Sequence, residues 1–317
     1  MAVLELLDLP PSSFGTTDPD IALIHPEGVT AYLTKLVSSP LSWLISDAER
    51  DTVWETSSQR LSQRSGRTGM SSLTRSFLIP LLNTSMTNPL EIILHEPALT
   101  EDNLGLKTWS SSYVLARLLP TLTSMPLPLP SHIPVLELGA GTGLVGLAAA
   151  AVWQTDVVLT DLLAIAPNLA HNVAANAGVL RTHDGNAVAG VLDWTDAESL
   201  APVSSTATDF DAIAALRARG KTHTILAADP IYSPSHPRLL VGAVARWLED
   251  RGDVAASTRL VLAYPVREAY LPQIADLRER LGEVGRRGLR VLEEGQEVTR
   301  DDWEEDVIVE WSVWGWK

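Results

Sequence analysis

A glycine-rich segment, Glu137-Leu-Gly-Ala-Gly-Thr-Gly143, is the part of this sequence best suited to binding a small molecule. It follows the short apolar segment IPVLELG and precedes a helical pattern that runs through Val152. Glycines between a strand and a helix let a ligand approach the backbone closely, because they carry no Cβ. Asp161 ends the next predicted strand, where its carboxylate can accept both hydroxyls of a ribose or cap the following helix. The sequence therefore predicts a cofactor site at these two strand ends.

Two classes of cofactor fit the glycines, and the acid before them favours one class. The segment Gly141–Gly146 also matches the dinucleotide pattern, with Asp161 at the distance expected of a ribose-binding acid. A dinucleotide would bring an anionic pyrophosphate close to Glu137, whose carboxylate would repel it. S-adenosylmethionine would bring an ammonium and a sulfonium, which that carboxylate attracts. We therefore predict S-adenosylmethionine, with a dinucleotide or a turn without ligand as alternatives, and assign it to Glu137, Gly139, Ala140, Gly141 and Gly143.

Acids and aromatic residues also follow the third and fourth predicted strands. Asp193 and Trp194 end the third strand, where the indole can cover an adenine and the carboxylate can reach its amino group, unless Trp194 is a core residue. Asp229 and Tyr232 follow the fourth strand, at the edge where ligands bind in open α/β sheets. Methyl transfer to an amine needs a neutral nucleophile held in line with the sulfonium, and these two groups can orient one. The alternative is that Asp229 caps a loop and Tyr232 packs in the core.

The elements that must position these residues are strands that alternate with helices from residue 133 onward. This alternation implies a parallel sheet with right-handed crossovers. No helical pattern separates the last two strands, which suggests an antiparallel hairpin that closes the sheet. We therefore expect an α/β, Rossmann-like fold with an antiparallel last strand. The seven predicted strands span residues 133–139, 156–161, 186–194, 223–230, 259–264, 286–292 and 305–314.

The residues before this α/β part predict a helical extension and a hairpin. The apolar pattern is helical from Val29 to Arg64, and two hairpin strands are expected at 76–82 and 90–97. We expect a mostly helical extension over 1–74 and a catalytic domain over 75–317, which contains the hairpin (75–97) and a catalytic core (105–317). Besides the helix that follows the glycine-rich segment and runs through Val152, the helices expected in that core span residues 107–119, 162–176, 212–219, 236–250 and 271–281.

Several segments, taken in order, resemble the family-16 seven-strand methyltransferases, among which protein-lysine methyltransferases are prominent. The resemblance covers roughly residues 75–317 and implies binding of S-adenosylmethionine, with Asp229 and Tyr232 as catalytic residues at the acceptor amine. It also implies that Trp109 lies against the cofactor, and we assign Leu162 and Ala228 to the same site. The segments are Gly105-Leu-Lys-Thr-Trp109, Glu137–Gly143, Asp161, Asn168–Asn176, Leu192-Asp-Trp194 and Ala228-Asp-Pro-Ile-Tyr232.

Segments nearer the amino terminus resemble a fungal subgroup, the elongation-factor lysine methyltransferases and their glucose-regulated relatives. The similarity lies in Ser65-Gly-Arg-Thr-Gly69, in Thr74-Arg-Ser-Phe77 and in His95-Glu-Pro-Ala-Leu-Thr100. Ser65 and Gly69 depart from the subgroup, where a cysteine and an alanine are expected. The resemblance implies a translation elongation factor as the protein substrate.

Charge and hydropathy limit the partners of the chain. Acidic residues outnumber basic ones by 39 to 24, which gives a net charge of −15 among 317 residues. Nucleic acid requires a basic surface, so we expect no nucleic-acid partner, whereas a basic protein fits this charge. The longest apolar run is too short for a membrane span, and the amino terminus lacks the basic region of a secretory signal. We expect a cytoplasmic monomer that binds no membrane.

Other chemistries have less support in the sequence. Cysteine is absent, which excludes disulfides and thiolate metal sites, and the seven histidines show no HExxH or comparable spacing. We therefore expect no metal. The alternative functions are methylation of a small molecule or of another side chain such as histidine, an inactive cofactor-binding subunit, and an NAD oxidoreductase. The intact glycine loop, together with Asp161, Asp229 and Tyr232, argues against an inactive subunit.

Overall fold

The computed structural model describes residues 29–44, 46–64, 72–81, 89–97, 104–130, 133–203, 207–300 and 306–317. Within these residues the helices are α1 (Val29–Ser38), α2 (Asp47–Arg64), α3 (Ser110–Leu118), α4 (Leu144–Trp153), α5 (Ala166–Thr182), α6 (Ala207–Arg219), α7 (His236–Trp247) and α8 (Leu271–Glu283). The strands are β1 (Leu73–Ile79), β2 (Leu90–Glu96), β3 (Val135–Leu138), β4 (Asp156–Asp161), β5 (Asn186–Val191), β6 (Ala201–Pro202), β7 (Thr224–Ala228), β8 (Arg259–Pro265), β9 (Leu289–Arg300) and β10 (Asp306–Trp316).

The main sheet has the order β6-β5-β4-β3-β7-β8-β10-β9. Its five central strands are parallel, and β10 runs antiparallel to both β8 and β9. This confirms the predicted Rossmann-like sheet and its antiparallel last strand. The two-residue strand β6, antiparallel to β5, was not predicted. Because the chain leaves β3 toward β5 and later returns to β7 on the other side of β3, the switch point of the sheet lies between β3 and β7.

The core consists of one apolar cluster on each face of this sheet. Helices α3, α4 and α5 and the hairpin β1–β2 pack on one face, while α6, α7 and α8 cover the other. Strand β3 is buried along its whole length, which explains why Val135, Leu136 and Leu138 do not alternate with polar residues. In the part of the chain that the structure describes, no helix is both long and apolar enough to cross a membrane.

Asparagine side chains of α5 attach the hairpin β1–β2 to the catalytic core. Asn172 accepts a hydrogen bond from the N–H of His95 at 2.8 Å and donates to the His95 carbonyl at 3.1 Å. Asn176 does the same for Ile93, at 3.0 and 2.7 Å. A carboxamide thus pairs with the strand backbone as a neighbouring strand would. These bonds satisfy the free edge of β2, which otherwise exposes unpaired backbone groups.

The helical pattern over 29–64 is divided in the structure into α1 and α2. Pro40 lacks an N–H and disfavours helical conformation at the preceding residue, and Leu41 has a φ of 45°. Leu41 is buried, and it packs with Leu33 and Val53 in a small apolar cluster between the two helices. The proline and the turn therefore separate two helices that pack against each other.

Other boundaries differ from the prediction. Strand β1 lies three residues earlier, β5 ends at Val191 rather than at Trp194, and β9 extends to Arg300. The polar end of β9 has few apolar residues from which a strand could be predicted. Its Gly295 lies under the Trp311 ring, because a Cβ at Gly295 would stand 2.6 Å from Cζ2 of that indole.

Part of the sequence interpretation lies outside the described residues. Residues 1–28, the segment Ser65–Gly69 and the end of the His95–Thr100 segment belong to this part, as does nearly all of the expected turn at 83–89. The division between an extension (1–74) and a catalytic domain (75–317) stays a prediction.

Candidate active site

A cavity of about 400 Å³ opens at the carboxyl edge of the parallel strands. Residues at the ends of all five parallel strands, or just after them, contribute to its wall, as expected of ligand sites in open α/β sheets. The predicted site residues that line it are Trp109, Gly139, Ala140, Gly141, Asp161, Leu162, Asp193, Trp194, Ala228, Asp229 and Tyr232.

The glycine loop forms one wall of the cavity with its backbone. Gly139 and Gly141 have φ values of 69° and 57°, a conformation that other residues adopt with strain. A Cβ on Gly139 would lie 3.1 Å from Cζ2 of Trp194, and a Cβ on Gly141 would lie 3.1 Å from the carbonyl oxygen of Gly105. A Cβ at either position would therefore fill space at the cavity wall. The loop therefore fits a cofactor that lies directly against the backbone.

Asp161 is tied to the glycine loop. Its Oδ2 accepts the N–H of Gly141 at 2.7 Å, and its Oδ1 accepts the N–H of Leu162 at 2.7 Å. Burial raises the pKa of this carboxyl to about 6, although the two N–H groups oppose the shift. Each oxygen keeps a second acceptor position, so the carboxylate can also accept ribose hydroxyls. Helix α5 begins only at Ala166, so Asp161 is not its N-cap.

Glu137 and Gly143 are the predicted site residues that do not line the cavity. Glu137 is 1% exposed, and its Oε2 accepts the N–H of Gly146 in α4 at 2.9 Å. Burial raises the pKa of its carboxyl to about 8. The hydrogen bond to Gly146 joins β3 to α4, and the assignment of Glu137 to the cofactor stays a prediction. Gly143 gives room to Leu169, whose Cδ1 would lie 2.8 Å from a Cβ there.

Trp109 lies directly before α3, in a segment held by polar contacts. The hydroxyls of Thr108 and Thr142 are 2.7 Å apart, which joins this segment to the glycine loop. The Thr108 N–H donates to Oε1 of Glu96 at 3.1 Å, and Glu96 also lies 3.6 Å from the Arg75 guanidinium. The hairpin β1–β2 thus helps to hold Trp109 at the cavity.

Asp193 and Trp194 lie in the loop after β5, so the prediction that they end the strand is wrong. Asp193 Oδ1 accepts hydrogen bonds from the N–H and the hydroxyl of Thr195, at 2.8 and 2.7 Å. These bonds fix a tight turn of the kind that aspartate commonly forms. The turn places Trp194 so that its half-buried ring packs against the core and also lines the cavity.

Asp229 directly follows β7 and has a φ of 55°, which aspartate tolerates better than most residues. Its N–H donates to the Ala263 carbonyl at 2.8 Å, which fixes the backbone to β8. Burial raises the pKa of its carboxyl to about 6, and the Ser111 hydroxyl and the Arg267 guanidinium oppose this shift. The cavity wall therefore contains a carboxylate that is mostly ionised at neutral pH.

Tyr232 lies at the cavity with 51% of its surface exposed, so it is not a core residue. The pKa of its hydroxyl is raised, first by partial burial and then by the carboxylates of Asp161 and Asp229. The structure thus brings the predicted ribose-binding acid and both predicted catalytic residues to one cavity.

The structure adds ionisable and aromatic residues that the sequence interpretation missed, namely Lys107, His236, Arg267 and Tyr270. Arg267 and Tyr270 follow β8 at the same sheet edge at which Asp229 follows β7, so the strand-end argument could have found them. Lys107 lies within the segment that also contains Trp109. His236 begins α7, and burial lowers the pKa of its imidazole. No sequence pattern indicated that its side chain faces the cavity.

Comparisons with known proteins extend over most of the chain. Residues 88–267 match a family described as lysine methyltransferase. The chain is 36% identical over 263 residues to the protein-lysine N-methyltransferase EFM2 of Saccharomyces cerevisiae, which covers 78% of this chain and 55% of that protein. It is 30% identical over 285 residues to the protein-lysine N-methyltransferase rrg1 of Schizosaccharomyces pombe, which covers 89% and 84%. The chain thus spans about half of EFM2 and most of rrg1.

Solved structures match the chain at lower similarity. The structure of P. horikoshii TYW2 in complex with MeSAdo has a TM-score of 0.42 and 12% identity, over 82% of this chain and 84% of that one.

The family match covers more than half of the 317 residues, and both relatives are named as protein-lysine methyltransferases. The chain therefore belongs to the lysine methyltransferase family, whose members use S-adenosylmethionine as the methyl donor.

Proposed function

We propose that this protein is an S-adenosylmethionine-dependent protein-lysine N-methyltransferase that modifies a translation elongation factor in the cytoplasm and acts as a monomer. The observation that carries the proposal is that Asp229 and Tyr232 share one cavity with the glycine loop and Asp161. The likeness to two protein-lysine methyltransferases supports a protein substrate. The resemblance of the amino-terminal segments to the fungal elongation-factor methyltransferases supports the choice of substrate.

In this proposal Asp229 and Tyr232 bind and orient the acceptor amine. The bound cofactor supplies a methyl group on a sulfonium. The Asp229 carboxyl, with a pKa of about 6, is mostly ionised at neutral pH and accepts a hydrogen bond from the amine. The Tyr232 hydroxyl has a raised pKa, stays protonated and supplies a second polar contact. Burial of the site disfavours the ammonium form of the acceptor and the ionised Asp229 carboxylate favours it, so the amine reacts after it has lost a proton to solvent.

The test is methylation of purified translation elongation factors with isotope-labelled S-adenosylmethionine, followed by mass spectrometry of the labelled peptides. We expect the label on a lysine of one factor. The Tyr232→Phe variant should bind S-adenosylhomocysteine within about threefold of the wild type but turn over more slowly, roughly tenfold or more. Label on histidine, or only on small molecules, would contradict the proposal. In a melting experiment, S-adenosylhomocysteine and not NADH should stabilise the protein.

A further inference from the structure

His236 connects two aromatic residues of the cavity, Tyr232 and Trp194. Its ring centroid lies 4.1 Å from that of Tyr232 with the planes at 87°, and 6.0 Å from that of Trp194 at 75°. The N–H of Tyr232 also donates to Nδ1 of His236, at 3.4 Å. The histidine therefore contacts both the backbone and the ring of Tyr232. Edge-to-face contacts of this kind fix the relative orientation of two rings.

Tyr232 needs such support, because much of its side chain is exposed. With 51% of its surface accessible, the ring is not enclosed by the core and could occupy several rotamers. Tyr232 also lies in the loop that joins β7 to α7. His236 begins α7, and a residue on a helix is positioned more rigidly than a residue on a loop.

We propose that His236 is a positioning residue that holds Tyr232 in the orientation required for the acceptor amine and links it to Trp194. The proposal rests on the proposed function in that Tyr232 contacts the acceptor. His236 itself needs no contact with the acceptor or with the transferred methyl. Its effect on turnover should therefore depend on Tyr232 being present.

Three substitutions separate the two contacts that His236 makes with Tyr232. His236→Phe keeps a ring beside Tyr232 but removes the acceptor of its N–H. His236→Asn keeps an acceptor at the δ position but removes the ring. His236→Ala removes both contacts. We expect His236→Ala to lower the single-turnover rate by roughly ten- to a hundredfold, with smaller losses for the other two variants. The affinity for S-adenosylhomocysteine should stay within about threefold of the wild type, because the Asp161 contacts to the glycine loop are unchanged.

A double-mutant cycle then shows whether His236 acts through Tyr232. In a Tyr232→Ala background, His236→Ala should cost less than about threefold, because the residue it positions is gone. His171→Ala is the matched control. His171 is an exposed histidine of α5 whose ring contacts His95 and which does not line the cavity, so its loss should leave the rate unchanged. Equal rate losses from His236→Ala in both backgrounds would overturn the proposal.

A readout without turnover keeps this proposal distinct from the proposed function. The chain has five tyrosines, so 3-fluorotyrosine labelling gives few resonances, and Tyr232→Phe assigns the one from Tyr232. We expect His236→Ala to shift this resonance in the folded protein, while His171→Ala does not. An unchanged Tyr232 signal in folded His236→Ala would refute the positioning role. Failure of the wild type to methylate any lysine, with the Tyr232 signal shifted as expected, would refute the proposed function instead.

Discussion

Asp161 and Asp229 are both carboxyls at the cavity wall with a pKa raised to about 6, but their surroundings differ. The Asp161 carboxylate accepts hydrogen bonds from two backbone N–H groups, and these bonds stabilise its ionised form beside the glycine loop. For Asp229 the opposing groups are the Ser111 hydroxyl and the Arg267 guanidinium. Before any ligand binds, the ionised form of Asp229 is therefore costly to bury. An acceptor amine would replace part of the lost hydration.

This cost predicts that Asp229→Asn stabilises the protein without ligand while it removes activity. Burial raises the pKa of Asp229 from a usual value of 3.8 to about 6, so the folded state retains a proton that the unfolded state loses. The stability contributed by this proton is fully present below the unfolded pKa and is lost as the pH rises through about 6. Asparagine is neutral at every pH. The variant should therefore exceed the wild type by about 1–3 kcal/mol at neutral pH, and by less at pH 5.

Urea unfolding of both proteins between about pH 5 and pH 8 measures this difference. Asp229→Ala is the backbone control. It also removes the charge, but alanine adopts the φ of 55° with strain of about 1 kcal/mol, so it should be less stable than Asp229→Asn. A wild type as stable as Asp229→Asn at neutral pH would show that burial of this carboxylate carries no cost.

At the residue scale, the sequence predicted positions at strand ends better than it predicted contacts. Asp161, Asp229 and Tyr232 face one cavity because the carboxyl ends of parallel strands share an edge. Glu137 was assigned to the cofactor, yet its side chain turns toward α4, because Gly146 offers an N–H and leaves space for a carboxyl. Nothing in a single sequence reports which glycine in a helix faces which acid. His236 was missed because no sequence pattern indicates which residues of a helix face a cavity.

At the scale of elements, apolar spacing predicted the central strands well because they are buried on both faces. It failed where a strand is polar or short, as in β6 and the end of β9, since such strands are specified by their neighbours. It also placed the start of α5 too early. The predicted helix begins at residue 162, but Leu162 and Leu163 are 47% and 72% exposed, and α5 begins at Ala166.

The asparagines of α5 give a test of how the hairpin is attached. Asn172 is fully buried and makes three hydrogen bonds, two to His95 and one to the Thr142 carbonyl at 3.0 Å. Asn172→Ala removes this partner from the His95 N–H and the Thr142 carbonyl, while the His95 carbonyl keeps its bond from Asn168, and each buried loss costs about 1–3 kcal/mol. We expect a total loss of roughly 3 kcal/mol in unfolding free energy, measured by urea unfolding.

Asn168→Ala is the matched control on the same helix. Asn168 is half-buried and makes one bond, to the His95 carbonyl at 3.0 Å, which Asn172 also contacts. Its loss should cost about 1 kcal/mol or less. Because Thr142 belongs to the glycine loop, Asn172→Ala should also weaken cofactor affinity, and Asn168→Ala should not. Equal stability of the two variants would show that the buried carboxamide is replaced by solvent.

Across the whole molecule, the net charge of −15 repels acidic partners and attracts basic ones. The attraction acts over distances set by the ionic strength, about 10 Å at 0.1 M salt and about 3 Å at 1 M. It therefore affects how often a protein substrate meets the cavity mouth more than it affects contacts inside the cavity. The cofactor contact predicted for Asp161 is short and buried, so salt should screen it little.

The proposed protein substrate should therefore be used less efficiently as salt is added. We expect kcat/KM for a basic protein substrate to fall about tenfold between about 0.05 and 0.5 M sodium chloride, because screening removes the long-range attraction. The affinity for S-adenosylhomocysteine, titrated in the same buffers, should change by less than about threefold. Sucrose at equal osmolality controls for effects unrelated to charge. A kcat/KM that stays constant across the salt range would show that the acidic surface plays no part in substrate encounter.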